Sequence, residues 1–249
     1  MTTAQTALGA GPRIGCDIQS IAPVAESMAR LGERYLRAVC GTAEFARLAE
    51  DSKLTSPESV AARFAAKEAV LKVLAPAATD AVAWPSIAVH TGADGAPGLF
   101  LTDSAAALAT RRGLGDWTVS MSHDGDYALA VALALSCPPD PSTGALRAPI
   151  DTMTTELRRL KGPHPMETTT TELTVRKVLA EHGKLSQDAH TLGTDVDLYR
   201  AGMTSHASVN VMLGLEDEFD IEFPEELLTK ATFTSISSIS EAVEGIDHD

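Results

Sequence analysis

Three short stretches hold residues suited to phosphate chemistry. RIGCDI (13–18) places Asp17 near the end of an apolar run. RFAAKEAVLKVL (63–74) carries Arg63, Lys67, Glu68 and Lys72, and SMSHDGDY (120–127) carries Ser122, His123 and Asp124. Two carboxylates, completed by waters and substrate phosphates, are a common way to hold Mg²⁺. A lysine beside them offsets charge on a phosphate. If two strand ends meet the helix, Asp17, Glu68, Lys72 and His123 converge on a phosphate-transfer site. The plainer reading also starts from the helix. Glu68 and Lys72 are four apart in the favourable order, an ion pair worth about 0.2–0.5 kcal/mol when exposed. The apolar residues around them point in almost every direction, the pattern of a buried helix. Charges within such a helix need partners.

The elements that must position these residues follow an α+β pattern, with no repeating βαβ unit. RIGCDI reads as a short strand. Residues 22–50 read as helical pieces broken near Gly32 and Gly41. Ser-Pro-Glu at 56–58 starts a helix, with proline at its first position, that runs to about Leu74 and stops at Pro76. SIAVHT (86–91) and GLFLT (98–102) read as strands joined by GADGAP, and residues 103–112 as a helix. WTVSMSH (117–123) and YALAVALAL (127–135) form a strand pair around DGD. The expected unit is a small antiparallel sheet with a long central helix.

Charge divides the chain. Residues 1–137 hold 11 basic against 14 acidic side chains, residues 138–165 hold 4 against 3, and residues 166–249 hold 5 against 17. A near-neutral first part and a strongly acidic last part imply two domains with different tasks. Such acidity argues against nucleic-acid binding. PPDPSTGALRAP after Cys137 has linker composition, and DTMTTELRRLKGPHP behind it has room for one or two helical turns. The expected layout is a flexible tail at 1–12, a first domain at 13–137, a linker at 138–166 and a second domain at 167–249. No apolar run reaches the roughly 18 residues of a membrane span, and the N-terminus does not read as a signal peptide. Cys16, Cys40 and Cys137 are scattered, which fits a reducing, cytoplasmic setting.

GCDI, ARFAAKEAVLKVL and VSMSHDGDYALA, in that order and spacing, resemble the three signatures of 4′-phosphopantetheinyl transferases of the short holo-acyl-carrier-protein synthase type. The resemblance covers residues 13–136. It implies transfer of the 4′-phosphopantetheine arm of coenzyme A to a carrier serine, with adenosine 3′,5′-bisphosphate as the other product. Carried over residue by residue, Asp17 and Glu68 would hold Mg²⁺. Lys72 would lie by the phosphates, and Arg63 and Lys67 would be further cationic contacts. Ser122 and His123 would contact coenzyme A. Glu68, Asp124 or a metal-bound water would be the base. The resemblance also implies a homotrimer with coenzyme A between subunits. One departure stands out: where the family has a Gly-Thr-Gly loop after the central helix, this chain reads LAPAATDAVAWP.

The second domain reads as a small all-α, four-helix bundle, with helices at 172–182 and 205–219 and short ones near 225–231 and 235–245. Residues 168–246 resemble an acyl carrier protein, and Ser205 falls on the serine that bears phosphopantetheine. A hydroxyl at a helix start suits an incoming phosphate; the plainer role for Ser205 is an N-cap. Carriers often read Asp-Ser-Leu here, against Thr204-Ser205-His206. Ala207 and Asn210 replace common acids, while Glu216, Asp217, Glu218, Asp220 and Glu222 persist. Fusion would compensate for weak docking, since a flexible linker of this length spans roughly 30 Å and gives local concentrations up to the order of millimolar. Three readings follow: a transferase that loads its own carrier, a carrier with a degenerate, scaffold-like transferase, or a transferase acting mainly on other carriers. Downstream synthases of fatty acid or polyketide type would be further partners.

Overall fold

Alternating small and large residues let one sheet face carry a helix. In the computed structural model, which describes residues 11–48, 56–77, 80–92, 94–136 and 170–246, β1 (Arg13–Ser20), β4 (Leu114–Asp124) and β5 (Tyr127–Ser136) form an antiparallel sheet in the order β1-β5-β4. Ala128, Ala130, Ala132 and Ala134 of β5 are all buried on one face, where the central helix α4 (Pro57–Leu74) packs. Gly15 of β1 lies where strand and helix cross. A Cβ there would run into the Ala69 carbonyl and Val73, so the close approach requires glycine. The other face exposes Ile14 and Ile18 of β1 and Leu129, Val131 and Leu135 of β5.

α4 starts and stops as its sequence requires. The Ser56 side chain accepts from the Ser59 N–H at 3.2 Å, and Pro57 opens the helix. At its end Ala75 adopts a left-handed conformation, φ 44°, with its N–H on the Leu71 carbonyl. That geometry favours glycine. Ala75→Gly is expected to stabilise the protein by about 1 kcal/mol, read as a rise in calorimetric melting temperature. Before α4 lie α1 (Ile21–Leu31), α2 (Glu33–Cys40) and α3 (Thr42–Leu48), broken near residues 32 and 41 as expected. After it come a 3₁₀ turn (Trp84–Ser86), the hairpin β2 (Ile87–Thr91) and β3 (Pro97–Leu101), and α5 (Asp103–Arg111).

The C-terminal bundle packs α6 (Thr170–His182), α7 (Ser205–Phe219) and α8 (Ile236–Glu244) around Val175, Leu179, Leu198, Leu215, Phe233 and Ile239. The helix expected near 225–231 is only a 3₁₀ turn, Glu225–Leu227. Arg176 secures the long loop before α7, donating to the Ala189 and Leu192 carbonyls at 2.6 and 2.8 Å. The expected linker at 138–166, with its helical turns, and most of the expected tail at 1–12 lie outside the described residues. Among the described residues no helix is long and apolar enough to cross a membrane.

Candidate active site

The long central helix brings Glu68 and Lys72 to the sheet edge formed by β1. Asp17 meets Lys72 at 2.8 Å and accepts from the Gln19 amide at 2.6 Å. Lys72 also donates to the Cys16 carbonyl, and its bond to Asp17 holds the ammonium charged above the ordinary lysine range. Glu68 is buried, and the Trp84 indole donates to it at 3.1 Å. Burial pushes the Glu68 carboxyl up, and the charge of Asp17 adds to the rise.

Ser205 lies beside Glu68 as well. Its hydroxyl approaches the carboxyl closely enough to favour the charged form, as do the Lys230 ammonium and the Trp84 indole. Ser205 is not the cap of α7: the Thr204 side chain takes that place, accepting from the Ala207 N–H at 3.1 Å. The Ser205 hydroxyl is thereby released from capping. Asp17, Glu68, Lys72 and Ser205 thus gather in one place.

The other candidates do not join them. Arg63 and Lys67, expected at phosphates, are 2% and 1% exposed. Both pair with Glu44 of α3, at 3.0 and 2.9 Å. Their remaining hydrogen bonds go to backbone carbonyls of Val89 for Arg63, and of Cys40, Trp84 and Ile87 for Lys67. They are structural cations, because a helix buried on these sides must neutralise them internally. Ser122, His123 and Asp124 are exposed at the β4 end of the hairpin. His123 acts on Glu58 in the first turn of α4. Glu58 precedes Glu68 by ten residues, about 15 Å of helix, so the expected convergence of His123 and Asp124 with Glu68 within one chain does not occur.

Several residues that shape this place carried no distinctive signal in the sequence. Trp84 lies in the stretch that replaces the family loop. Lys230 lies 4.5 Å over the Tyr199 ring. A seam between the two units runs along α7 and the segment behind it. Arg34 pairs with Glu216 and Asp217 at 3.1 and 2.6 Å. The Thr42 N–H donates to Glu225 at 3.0 Å, the Trp84 N–H donates to the Leu228 carbonyl at 3.0 Å, and Ala83 bridges Thr229. The one legible hint was charge: Arg30 and Arg34 are four apart and face an acidic unit.

His206 sits in this seam. Its ring centroid is 5.8 Å from Tyr35 and 6.4 Å from Phe64. Burial, with Lys184 and Arg30 nearby, pushes its pKa down from 6.5 to about 4. Docking therefore favours neutral His206. It is undiminished above about pH 6.5 and weakens as pH falls from there towards about 4. Ring proton resonances of His206 are expected to titrate near pH 4 in the intact protein; an ordinary midpoint would mean an undocked bundle.

Comparison with known proteins identifies a phosphopantetheinyl-transferring unit joined to a unit with a phosphopantetheine attachment site. The model of the 4′-phosphopantetheinyl transferase superfamily matches residues 13–132, and that of the phosphopantetheine attachment site matches residues 174–243. The holo-[acyl-carrier-protein] synthase of Desulforudis audaxviator is 38% identical over 122 residues, covering 49% of this chain and 91% of that protein. The aminoacyl carrier protein of Agrobacterium fabrum is 47% identical over 70 residues, covering 28% of this chain and 84% of that protein. A solved complex of the Chronobacterium ammoniagenes synthase with CoA is 29% identical, with a TM-score of 0.43, covering 51% of this chain and 98% of that one. The chain belongs to the holo-[acyl-carrier-protein] synthase family of 4′-phosphopantetheinyl transferases and carries a phosphopantetheine attachment domain behind the enzyme.

Proposed function

We propose that this enzyme loads its own carrier domain at Ser205, using coenzyme A as donor. The observation that carries this reading is the Ser205 hydroxyl set against the Glu68 carboxyl within one chain. In the reaction Ser205 Oγ bonds to the phosphorus that bears the pantetheine arm. The bond from that phosphorus to the other pyrophosphate unit breaks, and adenosine 3′,5′-bisphosphate leaves. Glu68 takes the Ser205 proton, and Lys72, exposed beside Asp17, offsets charge on the phosphates.

Two carboxylates near enough for the charge of one to raise the pKa of the buried other suit a divalent cation, and Asp17 and Glu68 would hold Mg²⁺. When bound, Mg²⁺ supplies positive charge at the pyrophosphate. The exposed apolar sheet face of Ile14, Ile18, Leu129, Val131 and Leu135 supports a homotrimer. A neighbouring subunit's β4 end then brings Ser122, His123 and Asp124 to coenzyme A. Leu129→Lys is expected to yield monomers in light scattering; an unchanged mass would remove this support.

Self-loading is tested by mixing two full-length chains that cannot load themselves, Asp17→Ala, which lacks a transferase residue, and Ser205→Ala, which lacks only the acceptor, with coenzyme A and Mg²⁺. The wild type gains one arm by intact-mass spectrometry, whereas the mixture stays unloaded. Loading of the Asp17→Ala chain at the wild-type rate would show delivery between chains. The likeness of the C-terminal domain to an aminoacyl carrier protein supports an amino acid as the cargo on the arm. Mass spectrometry of protein from native cells should show aminoacyl increments, and long acyl chains would reverse this assignment.

A further inference from the structure

Where the carrier's α7 crosses α1, the buried contact is polar. His206 and Asn210 are four apart on α7 and share a face; each is 6% exposed, and Ser27 of α1 opposite them is 4% exposed. The Ser27 hydroxyl donates to Asn210 Oδ1 at 3.0 Å, and Arg30 donates to the same oxygen at 2.9 Å. Asn210 Nδ2 donates to the His206 carbonyl at 3.1 Å, and His206 Nε2 lies 3.3 Å from Ser27 Oγ. With the single Ser27 proton on Asn210, the imidazole N–H donates to Ser27. The Asn210 oxygen is then filled by two donors, and Ser27 both donates and accepts.

We propose that Ser27 and Arg30 on the enzyme, with His206 and Asn210 on the carrier, are specificity-determining residues that admit this carrier and disfavour carriers with other side chains at these two positions. The inference rests on the self-loading reading and names what selects the substrate. A carrier with an apolar residue at position 210 would bury the Ser27 hydroxyl without this acceptor, while the exposed Arg30 would turn to solvent. One with leucine at position 206 would leave Ser27 Oγ without its imidazole donor. An unpaired buried polar group costs about 10- to 100-fold in an equilibrium constant. The ring contacts of His206 with Tyr35 and Phe64 add shape to the polar match. Ser205 precedes His206 directly, so the residues that identify the carrier also set the position of the reacting hydroxyl.

The test is a competition. Full-length protein is incubated with coenzyme A, Mg²⁺ and an equimolar acyl carrier protein that has leucine at both positions matching His206 and Asn210. The ratio of loading at Ser205 to loading of the added carrier is read by intact mass. Ser27→Ala, a small change on a helix surface, is expected to lower that ratio about tenfold, with KM for coenzyme A unchanged. Asn210→Leu should slow self-loading by about 10- to 100-fold, and Ser27→Ala combined with Asn210→Leu should recover part of the loss, because both partners are then apolar. An unchanged ratio in Ser27→Ala, or losses that simply multiply in the double variant, would overturn the proposal. A wild type that never gains an arm would instead overturn self-loading itself, and this inference with it.

Discussion

Glu68→Gln is expected to slow loading of Ser205 by about two to four orders of magnitude, the usual contribution of a positioned general base. The amide keeps an oxygen for the Trp84 indole, so the fold is retained and the melting temperature stays close to that of the wild type. What is lost is the negative charge and the capacity to take the serine proton. The working form of Glu68 is the ionised one. The rate profile therefore has an acid limb where Glu68 is protonated; burial and Asp17 raise the carboxyl in the metal-free protein, and Mg²⁺ held there would lower it. Loading by the wild type should therefore rise with pH through that limb, measured as initial rates by intact mass. A Glu68→Gln chain that loads within tenfold of the wild type would remove Glu68 as the base.

Glu44→Ala is expected to give the largest loss of stability. Arg63 and Lys67 lie in the core of the transferase domain, and Glu44 is the carboxylate paired with both. Removing it leaves two buried cations uncompensated. Breaking one such pair costs about 3–5 kcal/mol, a large part of the 5–15 kcal/mol typical of a domain. The backbone carbonyls that also receive these cations carry no net charge and cannot take Glu44's place. Calorimetry should show the transferase transition lowered by roughly 10–20 °C or lost. Glu44→Gln, which keeps the hydrogen-bond acceptor, should lie between the alanine variant and the wild type. An unaltered transition in Glu44→Ala would mean that the cations find other compensation.

The buried triad also shows what a sequence conceals. Arg63, Lys67 and Lys72 are cations of one helix, and by type each suits a phosphate. Only Lys72 faces outward, because α4 is otherwise covered from Val60 to Leu74. Their sorting depends on Glu44, 19 residues before Arg63 and in a separate helix, and no local pattern links them. The helix itself was legible, since Ser56, Pro57 and Pro76 mark its limits and its all-round apolar surface requires burial. The Asp17–Glu68–Lys72 group followed from strand-end and helix spacing. His123 could not be placed the same way, because its height along α4 depends on strand register. At the carrier, Thr204 and Ser205 are both plausible caps by type, and only the backbone geometry assigns the cap to Thr204. The seam was least visible: Ser27 and Asn210 are ordinary polar residues 183 positions apart.

The seam sets an order of events. On the proposed reading, α7 laid against α1 and α2 with Ser205 beside Glu68 puts an unloaded chain's own serine ahead of any competing carrier. On that reading the first turnover of each molecule is directed at itself. Other carriers would then compete on better terms once the modified domain withdraws. The tethered substrate is thus also a resident competitor, and the event that fits it for downstream work is the one that frees the enzyme for others.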